Sequence, residues 1–148
     1  MNTPVTAIFF SCRRLALLQE SVQAFIKSNT YPIQEIIIVN DSGDKDIHEL
    51  LRLYFPDFTL VCHPINFGLI LSIDLGYKHV RTEYFFHCED DWCCNGKGGF
   101  IEQSLDIMQS RPEIEEVWLA DYNNHPIEEV IYQADRRTPY RLAGHNDG

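Results

Sequence analysis

A mostly parallel α/β sheet with helices on both faces is the architecture this sequence predicts. Three observations carry the prediction. Short β-branched and aromatic runs alternate along the chain with amphipathic helical repeats. The first run reads as a buried strand and the second, EIIIV, is apolar on both faces, as a central parallel strand should be. The runs end in polar or charged clusters, and in an open α/β sheet the C-terminal strand edge is where ligands bind. Alternation of this kind calls for right-handed crossovers between parallel strands.

The elements follow in order. Val5 to Phe10 (VTAIFF) is the first strand and ends at Ser11-Cys12-Arg13-Arg14, a polar turn with two cations. Leu15, Leu18, Val22, Phe25 and Ile26 recur at helical spacing, predicting a helix to about Ser28, with Asn29 as its C-cap. Glu35 to Val39 (EIIIV) is the second strand and ends in Asn40-Asp41-Ser42-Gly43-Asp44. Ile47, Leu50, Leu51, Tyr54 and Phe55 form the stripe of a second helix, capped by Asp44 or Asp46 and closed by Pro56. Phe58 to Cys62 is a third strand that runs into His63-Pro64-Ile65-Asn66-Phe67-Gly68. Ile70, Ile73, Tyr77 and Val80 mark a third helix. Tyr84 to Cys88 is the fourth strand, followed by Glu89, Asp90 and Asp91. After a glycine-rich connection, Ile101, Leu105 and Met108 define a fourth helix ended by Pro112. Glu116 to Ala120 (EVWLA) is predicted as a fifth strand ending in Asp121, with Trp118 in the core. Ile127 to Gln133 is a weaker strand signal.

At 148 residues the chain is long enough for one domain with a sizeable core, and a single domain over 1–148 is expected. A formal net charge of -10 argues against a nucleic-acid-coating protein, which needs a basic face. It leaves room for a local basic pocket that takes a phosphorylated ligand. The five cysteines are odd in number and irregularly spaced, which suits reduced cytoplasmic thiols better than a disulfide framework. No CxxC pair supports a zinc site. No apolar run approaches the ~20 residues of a membrane span, and the first residues lack a signal peptide's basic and apolar regions.

Chemistry concentrates in Thr82 to Trp92, TEYFFHCEDDW. If the segment stays extended, Glu89 and Asp91 point one way and Asp90 the other. Two same-facing carboxylates repel unless a positive charge lies between them. Their hard oxygens suit Mg²⁺ or Mn²⁺, ions that commonly bridge a carboxylate to substrate phosphates. Arg13 and Arg14 stand at a helix start, where a cation is disfavoured without an anionic partner. The combined edge suits a nucleoside diphosphate with a divalent ion.

These residues resemble family-2-type glycosyltransferases of the GT-A fold. VTAIFFSCRRLALLQESVQAF is similar to that family's first strand, turn and helix, with Arg14 where the family commonly has arginine. EIIIVNDSGD resembles its second strand and Asp-Asp-x-Ser motif, with Asn40 replacing the first acid. NFGLILSIDLGYKHVRTEYFFHCEDDW resembles the Asn-x-Gly helix and the metal-binding DxD segment, here Glu89-Asp90-Asp91. The resemblance covers about residues 4 to 121.

The resemblance implies a metal-dependent, inverting transfer of sugar from a nucleotide-diphosphate donor to a glycan, lipid or other hydroxyl acceptor. It implies that Ser11, Arg13, Arg14, Asn40, Asp41, Asn66, Gly68, Glu89 and Asp90 line the nucleotide-sugar site, with Asp41 at the nucleobase. Asp91, with Glu89, would hold Mn²⁺ or Mg²⁺. Arg13 in place of asparagine and Glu89 in place of aspartate depart from the pattern. Family members place the acceptor site and the catalytic base beyond residue 148, so no catalytic residue is assigned. The chain is expected to be the donor-binding part of a longer enzyme, incomplete at its C-terminus. A sugar nucleotidyltransferase would need a glycine-rich loop after the first strand, where this chain has SCRR.

Overall fold

Phe9 and Phe10 point to opposite sides of the sheet, and the two layers of helices follow from that alternation. The computed structural model describes residues 2–94, 98–119, 131–132 and 139–140. The chain forms two compact units, Met1–Gly98 and Gly99–Gly148.

In the first unit, β1 (Val5–Ser11), β2 (Glu35–Asn40), β3 (Thr59–Cys62) and β4 (Tyr84–Glu89) form one parallel sheet in the order β3-β2-β1-β4. Helices α1 (Leu15–Ser28), α2 (Lys45–Tyr54) and α3 (Leu69–Tyr77) connect them. The chain steps outward from β1 to β3, then crosses back to the far side of β1. Right-handed crossovers therefore put α1 and α2 on one face and α3 on the other.

Packing agrees with this. All seven residues of β1 are buried. On the α1 face, Phe25 meets Phe9 edge-on at 5.5 Å and stacks on Phe86 at 4.9 Å. Leu18, Val22 and Phe25 are almost wholly buried, and each contributes about 1.5–3 kcal/mol of burial. On the α3 face, Ile8, Phe10, Ile37 and Val39 form a cluster that Val61, Ile73 and Val80 cover. A Cβ on Gly76 would lie 2.6 Å from a Phe10 ring carbon and 2.9 Å from Val39 Cγ2. The absence of a side chain there lets α3 sit close to the sheet.

The expected strands and helices of this unit are present, most ends shifted by a residue or so, and α3 stops at Tyr77 short of Val80. Asp44 caps α2 by accepting from the amides of Asp46 and Ile47. The predicted stripe of α3 needs correction, because Ile70 is 79% exposed and the buried positions are Ser72 and Gly76. Close backbone approach selects small residues there over large apolar ones.

In the second unit, Ile107 of α4 (Phe100–Ser110) forms a small cluster with Ile114, and Met108 and Val117 pack around it. The expected fifth strand does not form over its described part, since residues 114–119 have no regular secondary structure. Val117 packs back on α4 instead, and Trp118, expected in the core, is 48% exposed. A four- or five-residue apolar run needs a neighbouring strand to complete its hydrogen bonds, and here packing on its own helix satisfies its apolar side chain first. β5 (Ile131–Tyr132), within the weak signal at Ile127 to Gln133, pairs antiparallel with β6 (Pro139–Tyr140). The rest of that segment, Ala120 and Asp121 lie outside the described residues.

Candidate functional site

The register of the sheet assembles the site. Ser11 lies opposite Asn40, Asn40 opposite Cys62, and Phe10 opposite Glu89. The loops after all four strands thus leave from one edge, on either side of the point where strand order reverses.

Asp41 is the hub of the β2 and β3 loops. It is 4% exposed. Its Oδ1 accepts from the Phe67 amide at 2.9 Å and its Oδ2 from the Gly68 amide at 2.8 Å. His63 Nδ1 lies 2.9 Å from Oδ1. The Asp41 carbonyl accepts from Asn66 Nδ2 at 2.7 Å and from Cys12 Sγ at 3.6 Å. Gly43 keeps these loops in register. With φ of 66° and a Cβ position only 2.8 Å from Ile65 Cα, it admits no side chain without displacing that backbone.

Beside this hub is a second buried network. Asn40 donates Nδ2 to the Cys12 carbonyl at 2.7 Å and accepts at Oδ1 from the Ser42 amide and hydroxyl. Ser42 Oγ lies 3.3 Å from His48 Nε2. Burial, then the charge of Arg52, hold His48 below its ordinary pKa. The ring is thereby biased to its neutral form. Asn40 is therefore a bracket between the β1 and β2 loops. Ser11, at the end of β1, is buried and its Oγ has no hydrogen-bond partner among the described residues.

The acidic triplet departs from the expected extended geometry. β4 ends at Glu89, and Asp90 and Asp91 form a turn closed by the Trp92 amide on the Glu89 carbonyl at 3.1 Å. The turn buries Asp90 and leaves the Asp91 side chain 44% exposed. It also aims both toward one cation. Arg14 contacts Asp90 Oδ1 through Nη2 at 2.5 Å and Oδ2 through Nε at 3.3 Å, and its Nη1 donates to Asp91 Oδ2 at 3.0 Å. The Asp90 charge, then the hydrogen bond to Asp91, hold the guanidinium above its ordinary pKa. This explains an arginine at the N-cap of α1, a position with no side-chain cap bond and no acid in the first turn.

Glu89 is partly buried, with His87 Nε2 3.9 Å from its Oε1. Burial raises its pKa, and the charges of Asp91 and Asp90 raise it further. Trp92 is half exposed, its ring 5.9 Å from that of His87. The Ser21 hydroxyl donates to the Trp92 carbonyl, anchoring this turn on α1. Arg13 is exposed at the same edge.

The structure thus gathers Arg14, Asp90 and Asp91 into one charged cluster and Asp41, Asn66 and Gly68 into a second, hydrogen-bonded one. Nothing in the local sequence of His63 marks it as a partner of Asp41. The Ser42–His48 contact was equally hidden. Among the described residues no group of three His, Cys, Asp or Glu is arranged to hold a metal ion. The donor chemistry still fits one. Glu89 and Asp91 carry hard oxygens on one turn, the Asp91 charge is felt at Glu89, and an ion held by one or two carboxylates takes its other ligands from phosphate and water.

The sequence profile of Glycosyl transferase family 2 matches residues 6–133. The chain belongs to glycosyl transferase family 2. No curated protein matches it. A solved structure it is similar to is the crystal structure of TarS 1–349 from S. aureus, with a TM-score of 0.48 and 14% identity over 60% of this chain. The chain spans 28% of the length of that structure. The family match covers all four strand-edge loops. No helix among the described residues is long and apolar enough to cross a membrane.

Proposed function

We propose that this family 2 chain binds a nucleoside diphosphate sugar across the ends of β1, β2 and β4 and presents it for transfer to a hydroxyl acceptor. The supporting observation is the Arg14–Asp90–Asp91 cluster at the strand edge of a family 2 sheet. Arg14 is half exposed and planar, a shape that meets phosphate oxygens with two parallel donors. Its bond to Asp91 is the more exposed of its two ion pairs and is the one a diphosphate would replace. Asp90 stays buried and keeps the guanidinium in place. The Asp41 loop supplies the surface against which the nucleobase lies, with Ser11 and Asn40 at its floor. Asp91 and Glu89 would hold Mn²⁺ or Mg²⁺. When bound, the ion offsets the negative charge that develops on the leaving diphosphate. The acceptor would attack the anomeric carbon from the opposite face, inverting it.

Calorimetric titration of UDP, GDP and dTDP, with and without Mn²⁺, tests this on the native chain and on Asp91→Asn. The expected result is binding of one nucleotide that strengthens with Mn²⁺, with the strengthening lost in the variant. Absence of binding by all three to folded protein would overturn the reading. Equal binding with and without Mn²⁺ would retain the donor site and remove the metal.

A further inference from the structure

We propose that His63 is a positioning residue of the donor site, fixing the Asp41 carboxylate and, through it, the backbone of Phe67 and Gly68. The inference rests on the donor-site reading above and adds a residue to it.

His63 is 6% exposed and Asp41 4%, so this is a buried contact between two polar side chains. Such groups are costly to bury unless their hydrogen bonds are made. Here they are made in a specific pattern. The His63 amide donates to the Asn40 carbonyl at 2.9 Å, which continues the β2–β3 ladder one residue past β3 and fixes where the ring begins. The Phe67 ring meets the imidazole edge-on at 5.1 Å and holds its plane. Nδ1 is then directed at Asp41 Oδ1. An ionised carboxylate only accepts, so Nδ1 carries the proton and donates it.

The consequence falls on the two oxygens unequally. Oδ1 takes two donors, His63 Nδ1 and the Phe67 amide, and Oδ2 takes one, the Gly68 amide. A carboxylate has about four acceptor positions. Oδ2 therefore retains the greater capacity to accept from a ligand, and His63 determines that it is Oδ2. Without the Nδ1 donor, the carboxylate is held only by the amides of Phe67 and Gly68, and Oδ1 loses the side-chain donor that fixes its place. Gly68 is the N-cap residue of α3 with φ of 84°, so the same loss loosens the start of that helix.

The test compares His63→Leu, which fills the volume and donates nothing, with His63→Asn, whose amide places an N–H close to the Nδ1 position. The probes are UDP, GDP and dTDP, each with Mn²⁺, and amide hydrogen exchange at Phe67 and Gly68. A hydrogen bond to a charged group predicts that His63→Leu weakens the bound nucleotide by about tenfold or more and speeds exchange at both amides. His63→Asn is expected to restore both to within about threefold of native. A residue that only packs would lower the unfolding midpoint in both variants and leave nucleotide affinity unchanged, and that result overturns the proposal. Nitrogen NMR of the native imidazole decides the matter if His63→Leu fails to fold. A protonated Nδ1 supports the assignment, and a bare Nδ1 with a protonated Nε2 refutes it. If none of the nucleotides binds the native chain, the donor-site reading fails, while amide exchange and the tautomer still judge His63.

Discussion

Asp41→Asn changes one atom and should cost far more than its size suggests. The native carboxylate satisfies the amides of Phe67 and Gly68 and the Nδ1 of His63. An asparagine amide has one acceptor atom. If its oxygen takes the Oδ1 place, its NH₂ faces the Gly68 amide, donor against donor. If it flips, the NH₂ faces both the Phe67 amide and His63. The first arrangement leaves one N–H unmatched, at about 1–3 kcal/mol, and weakens two charge-assisted bonds by about 1 kcal/mol each. Both amide contacts are only partly buried, which favours the lower part of the range. The expected loss is about 3–4 kcal/mol. Urea unfolding followed by circular dichroism reads this as a midpoint lowered by about 1–2 M with an unchanged slope. The exposed Asp57→Asn serves as a control and should stay within about 0.5 kcal/mol of native. An Asp41→Asn midpoint matching that control would refute the idea that the Asp41 carboxylate holds the two loops together.

Other outcomes follow from the same geometry. Gly76→Ala should lower thermal stability by about 1–3 kcal/mol although alanine is the better helix former, because its Cβ collides with Phe10 and Val39; an unchanged melting curve would mean that α3 rides further from the sheet. Burial first, then Asp91 and Asp90, hold the Glu89 carboxyl above its ordinary pKa, so the folded state binds that proton more tightly than the unfolded state. Its stabilising contribution is present at acid pH and is lost as pH rises through the raised value. Glu89→Gln should therefore gain stability relative to native between acid and neutral pH, and a pH-independent offset in urea midpoints would contradict this. Burial pushes the Cys88 thiol up to about 12, whereas Cys93 is exposed. Mass spectrometry after brief iodoacetamide treatment should find Cys93 modified and Cys88 intact, since the thiolate is the reactive species.

The central sheet was legible because its signals are local. EIIIV reads as a strand covered on two sides, YFF carries strand preference although Phe85 is exposed in β4, and Asp44 before a helical stripe announces a cap. Given the strand order β3-β2-β1-β4, the split of helices between faces follows from the crossover hand. What failed was less local. Ile70 fits the α3 period, yet Gly76 determines how that helix docks. EVWLA has strand composition, but a strand is made by its neighbours, and Val117 finds α4 instead. At the site, Arg14 and the acidic triplet stood out as charges that need partners. Their pairing depends on a turn at Asp90 that alternation along an extended chain does not foresee. The Asp41–His63 contact joins residues 22 apart through sheet register alone.

The bond between Arg14 and Asp90 spans 76 residues and closes only when β4 has docked beside β1. The Asp41 loop draws on β2, β3, the start of α3 and the end of β1, all of which precede β4 and lie nearer in sequence. Contacts of long sequence separation are reached late, because the entropy of closing the loop must be overcome before the contact stabilises anything. The Asp41 half of the site therefore closes shorter loops, at a lower entropic cost, than the Arg14–Asp90 half. A chain without β4 would leave Arg14 without its buried counter-ion.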